Sequence, residues 1–589
     1  MPNKKILHNH GHKVLSGFLC LLAICFLNVM LEETAWAQKK NVFAPQIPKA
    51  NRLQKNKVFL EYADKLSMDE NISKDYQVLT GNVKFRKEGM FMYCDSAYFY
   101  DKTNSLDAFG NVRMEQGDTL FVFSDVMYYN GEQELAKLRY NVKMENRDVT
   151  LFTDSLDYDM AANLGYYFEG GKIIDSENEL SSVYGQYEPD TKNAEFLFDV
   201  ELVNKKYTMK TDTLHYNTNT HIADIVGYTT ILSDSNIIYS DNGWYNTTTE
   251  NATLYNRSLI VGKDGQKLTG DTIFYDRNKG FGEAFGNMIL TDSTRSSILE
   301  GNYGYHNEKE NTSFATKHAR AMEFSKKDTL YLHGDTIRTY LLEDSSRVMT
   351  SYHRVRFFRV DMQGLADSIS FVDTDSILNM YRHPIVWNEN RQILGNEINV
   401  HFNDSTVDWA KLPDYGFMSD SIEGDYYNQL SGKEMIAYFK DGDITQLDVN
   451  GNVQSIFYPQ ENDSTYNKLV FSESSFLIVK FKKKEVDRLK MWPEVTGKAI
   501  PLYLAKKSDY FLPGFKWHFN LRPKNKDDIF NISDEMIQLF AEPEKTTKHR
   551  KTNAKLPATA PVAVPVDEKT ETPPKEETPK TPITEKKGK

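Results

Sequence analysis

The sequence predicts an all-β protein, an elongated, solenoid-like stack of repeats of ~30 residues each. Three observations lead to this prediction. Tyr and Phe number 34 each in 589 residues, so aromatic residues make up 13% of the chain, and such residues favour strands. Two short strings of residues recur in step along the chain. Within each string apolar and polar residues alternate with period two, which is typical of strands with one buried face.

The first 37 residues are predicted to be a signal peptide. Lys4 and Lys5 precede an apolar run over residues 14–31, and Ala35-Trp36-Ala37 supplies a small-x-small cleavage site. A retained membrane anchor is the alternative, because the run approaches the length that spans a bilayer.

Cysteine usage indicates the compartment. Cys20 and Cys25 lie inside the predicted signal peptide, so cleavage leaves Cys94 as the one remaining thiol. A secreted protein of this length without an internal disulfide suits a Gram-negative bacterial envelope better than the extracellular space of an animal. We predict that Cys94 is a small buried residue rather than a nucleophile.

The first string, Asp-x-apolar-x-aromatic, sets the repeat. It reads Asp125-Val126-Met127-Tyr128-Tyr129 in one copy and Asp271-Thr272-Ile273-Phe274-Tyr275 in another. Its first position recurs at intervals of 27 to 33 residues, with two looser copies near Lys433 and Glu473. The recurring positions are Asp64, Asp95, Asp125, Asp154, Gly185, Asp212, Asp241, Asp271, Asn302, Asp335, Asp367 and Asn396.

The second string has the form Gly-Asn-Val and keeps the same period. It occurs as Gly81-Asn82-Val83, Gly110-Asn111-Val112, Tyr140-Asn141-Val142, Phe198-Asp199-Val200, Gly227-Tyr228-Thr229, Gly286-Asn287-Met288 and Gly451-Asn452-Val453. Each repeat is therefore predicted to form two or three short strands joined at turns that carry Gly, Asn and Asp. One such unit cannot bury its apolar face alone, so stacked units should form a two-walled β structure with an apolar interior.

Alternation assigns side chains to the two faces. In one copy Leu156 and Tyr158 share a face, while Ser155, Asp157 and Asp159 share the other. The recurring Asp either shapes turns by hydrogen bonding to local backbone amides or belongs to a ladder of metal ligands, although the Gly-rich nonapeptide of Ca²⁺-binding β-rolls is missing. The apolar interior is either a filled core or a groove.

The end of the array changes in composition. Residues 487–540 are richer in Trp, Pro and Lys and are predicted to cap the last repeat, because an uncovered sheet end invites association. Residues 543–589 consist largely of Lys, Thr, Pro, Glu and Ala and are predicted to be a disordered tail.

Several classes of function are disfavoured. With 71 basic and 83 acidic residues the net charge is -12, whereas nucleic-acid binding favours a basic surface. Charged residues at 26% argue against a polytopic membrane protein. The chain lacks His-Glu-x-x-His, Gly-x-Ser-x-Gly, a P-loop and paired Cys-x-x-Cys motifs. We predict no enzymatic activity, no metal and no cofactor, with an enzyme of the carbohydrate-cleaving β-helix type as the alternative.

The strings Leu79-Thr80-Gly81-Asn82-Val83-Lys84-Phe85 and Ala108-Phe109-Gly110-Asn111-Val112-Arg113-Met114, each followed by a segment such as Cys94-Asp95-Ser96-Ala97-Tyr98, resemble the LptA/OstA family of lipopolysaccharide transport proteins. The resemblance covers residues 53–339 well and the later repeats less well. It implies a periplasmic β-jellyroll, open along one side, whose apolar groove carries lipopolysaccharide acyl chains. It also implies head-to-tail docking with related jellyroll components at the inner and outer membranes.

Two departures from the family pattern concern the ends of the transport route. The chain is much longer than a periplasmic bridge protein of that family, and it has no amphipathic strand region after the repeats to form the outer-membrane barrel of the LptD relatives. We therefore expect a long OstA-like variant.

The sequence thus predicts a signal peptide (1–37), OstA/LptA-like jellyroll repeats (38–340), more divergent repeats with a C-terminal cap (341–542) and a tail (543–589). The predicted function is lipid binding and transport in the periplasm towards the outer membrane. The rival interpretation is a filled β-solenoid that serves as an envelope spacer or adhesin. Candidate lipid-groove residues are Val83, Phe85, Met114, Met127, Tyr129, Leu156, Tyr158, Leu214, Tyr216, Ile273 and Tyr275.

Overall fold

The computed structural model describes residues 57–541, apart from 69–74, 325–327, 404–405, 423–424, 442, 462–464 and 484. The predicted signal peptide, Cys20, Cys25 and the predicted tail lie outside the described residues. The chain divides into two compact units, Met1–Ala541 and Glu542–Lys589, and the fold below is that of the first.

Within the described residues forty strands form one antiparallel sheet, which confirms the all-β prediction. The first twenty are β1 (Phe59–Tyr62), β2 (Lys65–Ser67), β3 (Gln77–Lys87), β4 (Met90–Tyr100), β5 (Ser105–Gln116), β6 (Leu120–Asn130), β7 (Leu135–Asn146), β8 (Val149–Asp159), β9 (Leu164–Tyr167), β10 (Gly171–Ile174), β11 (Asn178–Ser182), β12 (Tyr184–Glu188), β13 (Asn193–Asn204), β14 (Tyr207–Asn217), β15 (Ile222–Ser233), β16 (Asn236–Asn246), β17 (Asn251–Tyr255), β18 (Leu259–Gly262), β19 (Gln266–Thr269) and β20 (Thr272–Asp276).

The sheet continues without a break across residue 341, because β26 pairs with β27 there. The remaining strands are β21 (Phe281–Asp292), β22 (Ser297–Asn307), β23 (Thr312–Thr316), β24 (Arg320–Glu323), β25 (Leu330–His333), β26 (Thr336–Leu341), β27 (Arg347–Arg359), β28 (Met362–Val372), β29 (Ile377–Tyr381), β30 (Ile385–Asn388), β31 (Arg391–Gly395), β32 (Glu397–Asn403), β33 (Thr406–Leu412), β34 (Gly416–Ser421), β35 (Tyr427–Gly432), β36 (Glu434–Lys440), β37 (Asp443–Phe457), β38 (Lys468–Lys482), β39 (Glu485–Trp492) and β40 (Thr496–Pro501).

The first repeats each contain two long strands, and each long strand bends in the middle. In β3, residues 77–80 pair with residues 96–99 of β4, and residues 83–87 pair with residues 90–94, with a register shift between the two halves. The same shift recurs in β5, β7, β13, β15, β21, β27 and β37. These register shifts lie in a line that we call the corner. Wall A is the half of the sheet that contains residues 77–80, and wall B is the half that contains residues 83–87.

The second string forms the bulges at the corner. Gly110 and Asn111 both have positive φ, 74° and 43°, and together they lie opposite one residue of β6, Asp125. The Asn111 amide donates a hydrogen bond to the carboxylate of Asp95, with a distance of 2.8 Å from Nδ2 to Oδ2. A Cβ on Gly110 would lie 2.6 Å from that oxygen. At this copy of the corner, the close approach of the Asp95 carboxylate favours a residue without a Cβ, and the left-handed backbone favours glycine.

This pairing explains why the two strings keep one period. Equivalent bonds join Asn82 to Asp64, Asn141 to Asp125 and Asn287 to Asp271. The carboxylates thus bind an asparagine side chain of the next strand, so the predicted bonding to local backbone amides was wrong at these positions. Among the described residues no group of three or more His, Cys, Asp or Glu side chains is placed to hold a metal ion.

Some copies interrupt the strands at the corner. β9 and β10 both pair with β8, and β11 and β12 both pair with β13, on the two sides of the corner. A repeat therefore supplies either two long bent strands or their short halves, and in both cases it adds two layers to each wall.

The inward faces of the walls form one apolar core. Phe85 of wall B lies against Phe99 of wall A, with ring centroids 5.5 Å apart, and Tyr207 of wall B meets Tyr245 of wall A at 5.0 Å. A single cluster of buried side chains runs from Val58 to Val479. Cys94 is buried within it, and burial raises the pKa of its thiol to about 12.

The outward face is not uniformly solvent exposed. Asp157 has the outward direction that the alternation predicts, yet it is only 6% exposed. The guanidinium of Arg139 pairs with it at 2.7 Å, and Tyr166 donates a hydrogen bond to it. Neighbouring side chains therefore cover this position, whereas Lys137 on the same face is exposed.

Residues 502–541 form a C-terminal strap. It comprises short 3-10 turns at Leu502–Leu504, Lys507–Asp509, Phe519–Leu521 and Asp528–Phe530 and one helix, α1 (Asp534–Ala541). Instead of lying beyond the last strand, the strap runs back along the outer face of wall B. Leu512 packs with Phe417 and Tyr458, and Leu521 and Met536 pack with Leu365 and Trp387.

Polar side chains of wall B hold the backbone of the strap. Gln392 donates to the carbonyl of Lys516 and accepts from the amide of His518. Gln429 forms the same pair of bonds with Tyr510 and Leu512. Because each glutamine satisfies one donor and one acceptor, the strap is bound through its main chain much as an added strand would be.

Candidate functional site

The structure places all eleven predicted groove residues inside the apolar core. Each is at most 5% exposed, and each belongs to the single cluster between the walls. Val83, Phe85 and Met114 come from wall B, and the other eight come from wall A. The sequence prediction therefore identified more buried residues in wall A than in wall B.

Most of the buried interior was missed, and the missed residues come from both walls, such as Leu138 in wall A. In wall B, Met92, Val122, Met209 and Ile231 are each at 2% exposure or less. Val122 pairs with Met114 across β5 and β6, and Met209 pairs with Ile231 across β14 and β15. Alternation counted from Thr229 of the second string reaches Ile231, whereas Met92, Val122 and Met209 each lie three residues before the recurring Asp of the first string. Both spacings could have identified these positions.

The interior is closely packed in this conformation. A cavity of about 20 Å³ is lined by Ile260, Leu268, Tyr275 and their neighbours, and another of about 10 Å³ lies among Ile173, Leu180 and Phe196. Cavities of this size hold one water molecule at most. An acyl chain can enter the interior between these walls only if the walls separate or side chains move.

Wall A and wall B also meet at their far ends. We call this line the rim; it is formed by the hairpin turns of wall A, such as 131–134, and those of wall B, such as 88–89. Among the described residues no backbone hydrogen bond joins the walls at the rim. The walls are thus continuous at the corner and joined only through side chains at the rim.

Polar side chains bridge the rim at intervals. Lys87 of wall B binds Glu134 of wall A at 2.7 Å and is only 5% exposed. Further along, the hydroxyl of Tyr216 donates to Asp175 at 3.2 Å. The Tyr275 hydroxyl meets the amide of Asn236. These bridges lie above the apolar core and close it off from solvent.

A further bridge is a cluster of three charged side chains around Glu250. This carboxylate, in a wall A turn and 3% exposed, binds Arg277 at 2.5 Å and Lys206 of wall B. Burial by itself would raise the pKa of Glu250, but the hydrogen bonds from Lys206 and Arg277 outweigh burial and lower it. Glu250 therefore stays ionised and holds the walls together at neutral pH.

Several core tyrosines place a ring in the interior and a hydroxyl at the rim. The Tyr158 hydroxyl bonds to Gln116 of wall B at 3.3 Å and to Asn163. Burial raises the pKa of Tyr158 and of Tyr216. Both remain neutral phenols, so the interior below the rim carries no charge from them.

Other buried polar groups do not form a reactive set. His306 is 7% exposed and bonds to Ser313, and burial lowers its pKa to about 4. Within the described ranges, no helix is both long enough and apolar enough to cross a bilayer.

Comparison with known protein families gives a match over the first repeats of the chain. Residues 55–212 match the profile of the family described as OstA-like protein, which confirms the predicted resemblance for this part of the chain. A search of curated proteins finds no match. The chain is also similar to LptH, described as the LptA-homologous periplasmic component of the conserved lipopolysaccharide transport device from Pseudomonas aeruginosa. Identity is 15%, coverage is 18% of this chain and 74% of LptH, and the TM-score is 0.16.

Proposed function

We propose, from the premise that residues 55–212 are OstA-like, that this is a periplasmic protein that carries the acyl chains of lipopolysaccharide towards the outer membrane. One observation carries the proposal beyond that premise. A continuous apolar core lies between two walls that share a backbone corner, and at the opposite rim only side chains join them.

Opening at the rim leaves the sheet intact. Strands pair within each wall, so separating the walls at the rim breaks no strand-to-strand hydrogen bond. Each CH₂ group that then enters the interior is stabilised by ~0.8 kcal/mol relative to water. Because burial of apolar surface has no preferred direction, an acyl chain can slide along the core while its polar head stays at the rim.

The terminal strands suit the partners that this function requires, namely other jellyroll transport components at the inner and outer membranes. β1 and β2 pair only with β3, and β39 pairs only with β38, within the described sheet. Leu66 and Val486 on these strands are 55% and 60% exposed. An unpaired strand edge can accept a further strand from a partner. We propose no chemical reaction for the protein.

The filled β-solenoid stays the second candidate, because each of the two interior cavities described above holds no more than a water molecule. In that case the protein would be an envelope spacer or adhesin, and the rim bridges would be purely structural.

The decisive experiment is lipid extraction and mass spectrometry of the full chain purified from its native envelope. Transport predicts an acylated glycolipid in stoichiometric amounts, whereas a lipid-free protein would favour the spacer. A photocrosslinking residue at position 129 or 128 then locates the lipid. Both positions are tyrosines of β6, but Tyr129 is 2% exposed and Tyr128 is 44% exposed. Crosslinking from 129 and not from 128 is expected.

A further inference from the structure

A wide cleft opens at the rim. A cleft of about 620 Å³ lies between wall B turns at Gly117, Thr119 and Arg147 and wall A turns at Asn163 and residues 189–192. It lies in the stretch between the Lys87–Glu134 bridge and the Tyr216–Asp175 bridge. In this section the rim is spanned by the Tyr158–Gln116 hydrogen bond rather than by an ion pair.

Cations from both walls line this cleft. Arg147 belongs to the β7–β8 turn of wall B and Lys192 to the β12–β13 turn of wall A, and both line the cleft. Neither side chain has an ion-pair partner among the described residues. Asp190 is the one carboxylate among the residues that line the cleft. The lining therefore carries a net charge of +1 (Arg147 and Lys192 against Asp190), in a chain whose overall charge is -12.

The base of the cleft leads into the apolar core. Leu120 lines it and is 6% exposed. Gln116 and Asn163, which also line it, hold the hydroxyl of Tyr158, whose ring belongs to the core. Burial raises the pKa of Tyr187, and a hydrogen bond with Thr218 and the charge of Arg147 partly oppose that rise.

We propose that this rim cleft is the loading site, where Arg147 and Lys192 bind the phosphate head of an amphiphile while its chain passes between Tyr158 and Leu120 into the core. The proposal rests on the proposed function, because it supplies the entry point for the transported acyl chain. An anionic head fits two cations that lack partners. The chain fits the apolar surface beneath them.

The test compares three soluble probes with the full chain: dodecyl phosphate, dodecyl maltoside and inorganic phosphate. The first two share a chain and differ in the charge of the head, and the third has the charge without the chain. A photocrosslinking residue is placed at Asn219, an exposed position of the cleft lining. Binding of each probe is measured as the loss of crosslinking from this position. Dodecyl phosphate should bind at least tenfold more tightly than either of the others, since it alone satisfies both parts of the site.

Charge reversal identifies the residues. The double substitution Arg147→Glu and Lys192→Glu should weaken dodecyl phosphate binding by about tenfold or more and leave dodecyl maltoside binding unchanged. Lys137→Glu is the matched control and should have no effect, because Lys137 is an exposed cation on the outer face of β7, the strand that precedes Arg147. The conservative double substitution Arg147→Lys and Lys192→Arg should retain binding. This result would show that the loss in the charge-reversal variant comes from the changed charge and not from misfolding.

Three outcomes would overturn the proposal: equal affinity for the two dodecyl probes, equally tight binding of inorganic phosphate alone, or an equal loss in the Lys137→Glu control. The proposal and the proposed function can fail separately. Co-purified glycolipid that persists in the double variant would reject the loading site and leave transport intact. Selective binding of dodecyl phosphate by a protein that carries no native lipid would support the loading site and reject transport.

Discussion

At the scale of single residues, the corner depends on an aspartate and an asparagine from neighbouring strands. Asp95 lies opposite the Gly110–Asn111 bulge and accepts the hydrogen bond from the Asn111 side chain. Where the glycine is absent, Tyr140 and Phe198 adopt positive φ at the equivalent site. The bulge is thus set by the geometry of the bend, and glycine is the residue that meets it with least strain.

Glycine at the corner should be needed for two separable reasons. Gly110→Ala should destabilise β4 to β6 by about 1–3 kcal/mol, because alanine disfavours positive φ and its Cβ would contact the Asp95 carboxylate. Gly117→Ala is the matched control, since Gly117 also has positive φ but nothing lies within 4 Å of the position of a Cβ. Local hydrogen exchange measures both changes. Equal effects would contradict the close approach seen at the corner.

The charge cluster at Glu250 should make the rim sensitive to acid. The pKa of Glu250 is lowered in the folded protein, so its stabilisation is fully present above its usual value of 4.5 and is lost as the pH falls through the lowered value. Glu250→Gln should destabilise the protein at pH 7 by about 1–3 kcal/mol, because Arg277 loses a charged hydrogen-bond partner.

The measurement is thermal unfolding of the wild type and Glu250→Gln at neutral pH and at a pH below the lowered pKa. The difference between them should shrink in acid, where the wild-type carboxyl is also neutral. Glu201→Gln is the control, because Glu201 pairs with Lys210 at an exposed site, where an ion pair contributes little. A difference that does not change with pH would mean that charge is unimportant at this bridge.

At the scale of secondary-structure elements, the strap divides the array into two kinds of repeat. From β25 onwards the outer face of wall B carries buried residues such as His333, Trp387 and Phe417, because the strap covers them. Arg356, 4% exposed, also donates to the carbonyls of Leu521 and Asp528 in the strap. Strands β3 to β7 instead present charged side chains such as Arg113 and Lys143 on this face.

Removing the strap should therefore loosen only the later repeats. A chain that ends at Pro501 should show hydrogen exchange at least tenfold faster in β27 to β40, because the covering contacts and main-chain bonds are lost. A chain that ends at Ala541 keeps the strap and is the control. Exchange in β3 to β22 should not change, and a peptide of residues 502–541 should restore protection. Uniform acceleration along the array would show that the strap does not act locally.

At the scale of the whole sheet, each repeat adds two layers to each wall. Thirteen repeat intervals then correspond to about 26 layer spacings of ~4.8 Å, or on the order of 125 Å along the stack. Contacts between layers are local in sequence, so stability is expected to be a sum of neighbouring terms rather than one cooperative transition.

Small-angle scattering of residues 57–541 tests this stacking. A rod of the estimated length has a radius of gyration of roughly 36 Å, whereas a compact domain of the same number of residues would give ~23 Å. A value near the compact figure would mean that the stack folds back on itself in solution, and a single lipid track through all repeats would then be excluded.

The sequence by itself determined the strands, the period and the inward face. Alternation is a property of one strand, and the Asp-to-Asn bond joins residues 16 to 18 positions apart, so both leave a signal within one repeat. The eleven predicted interior residues could therefore be chosen correctly as buried, although no sequence pattern states whether a buried residue faces lipid.

Only the tertiary structure decided how the interior is closed. Lys87 and Glu134 are 47 residues apart, Lys206 and Glu250 are 44 apart, and Gln429 lies 81 residues from the strap carbonyl that it binds. Bridges of this kind depend on where the two walls and the strap come to lie, and each uses common polar residues without a recurring motif. The rim, its cleft and the direction of the strap thus follow from packing between distant segments, which the period of a single repeat does not encode.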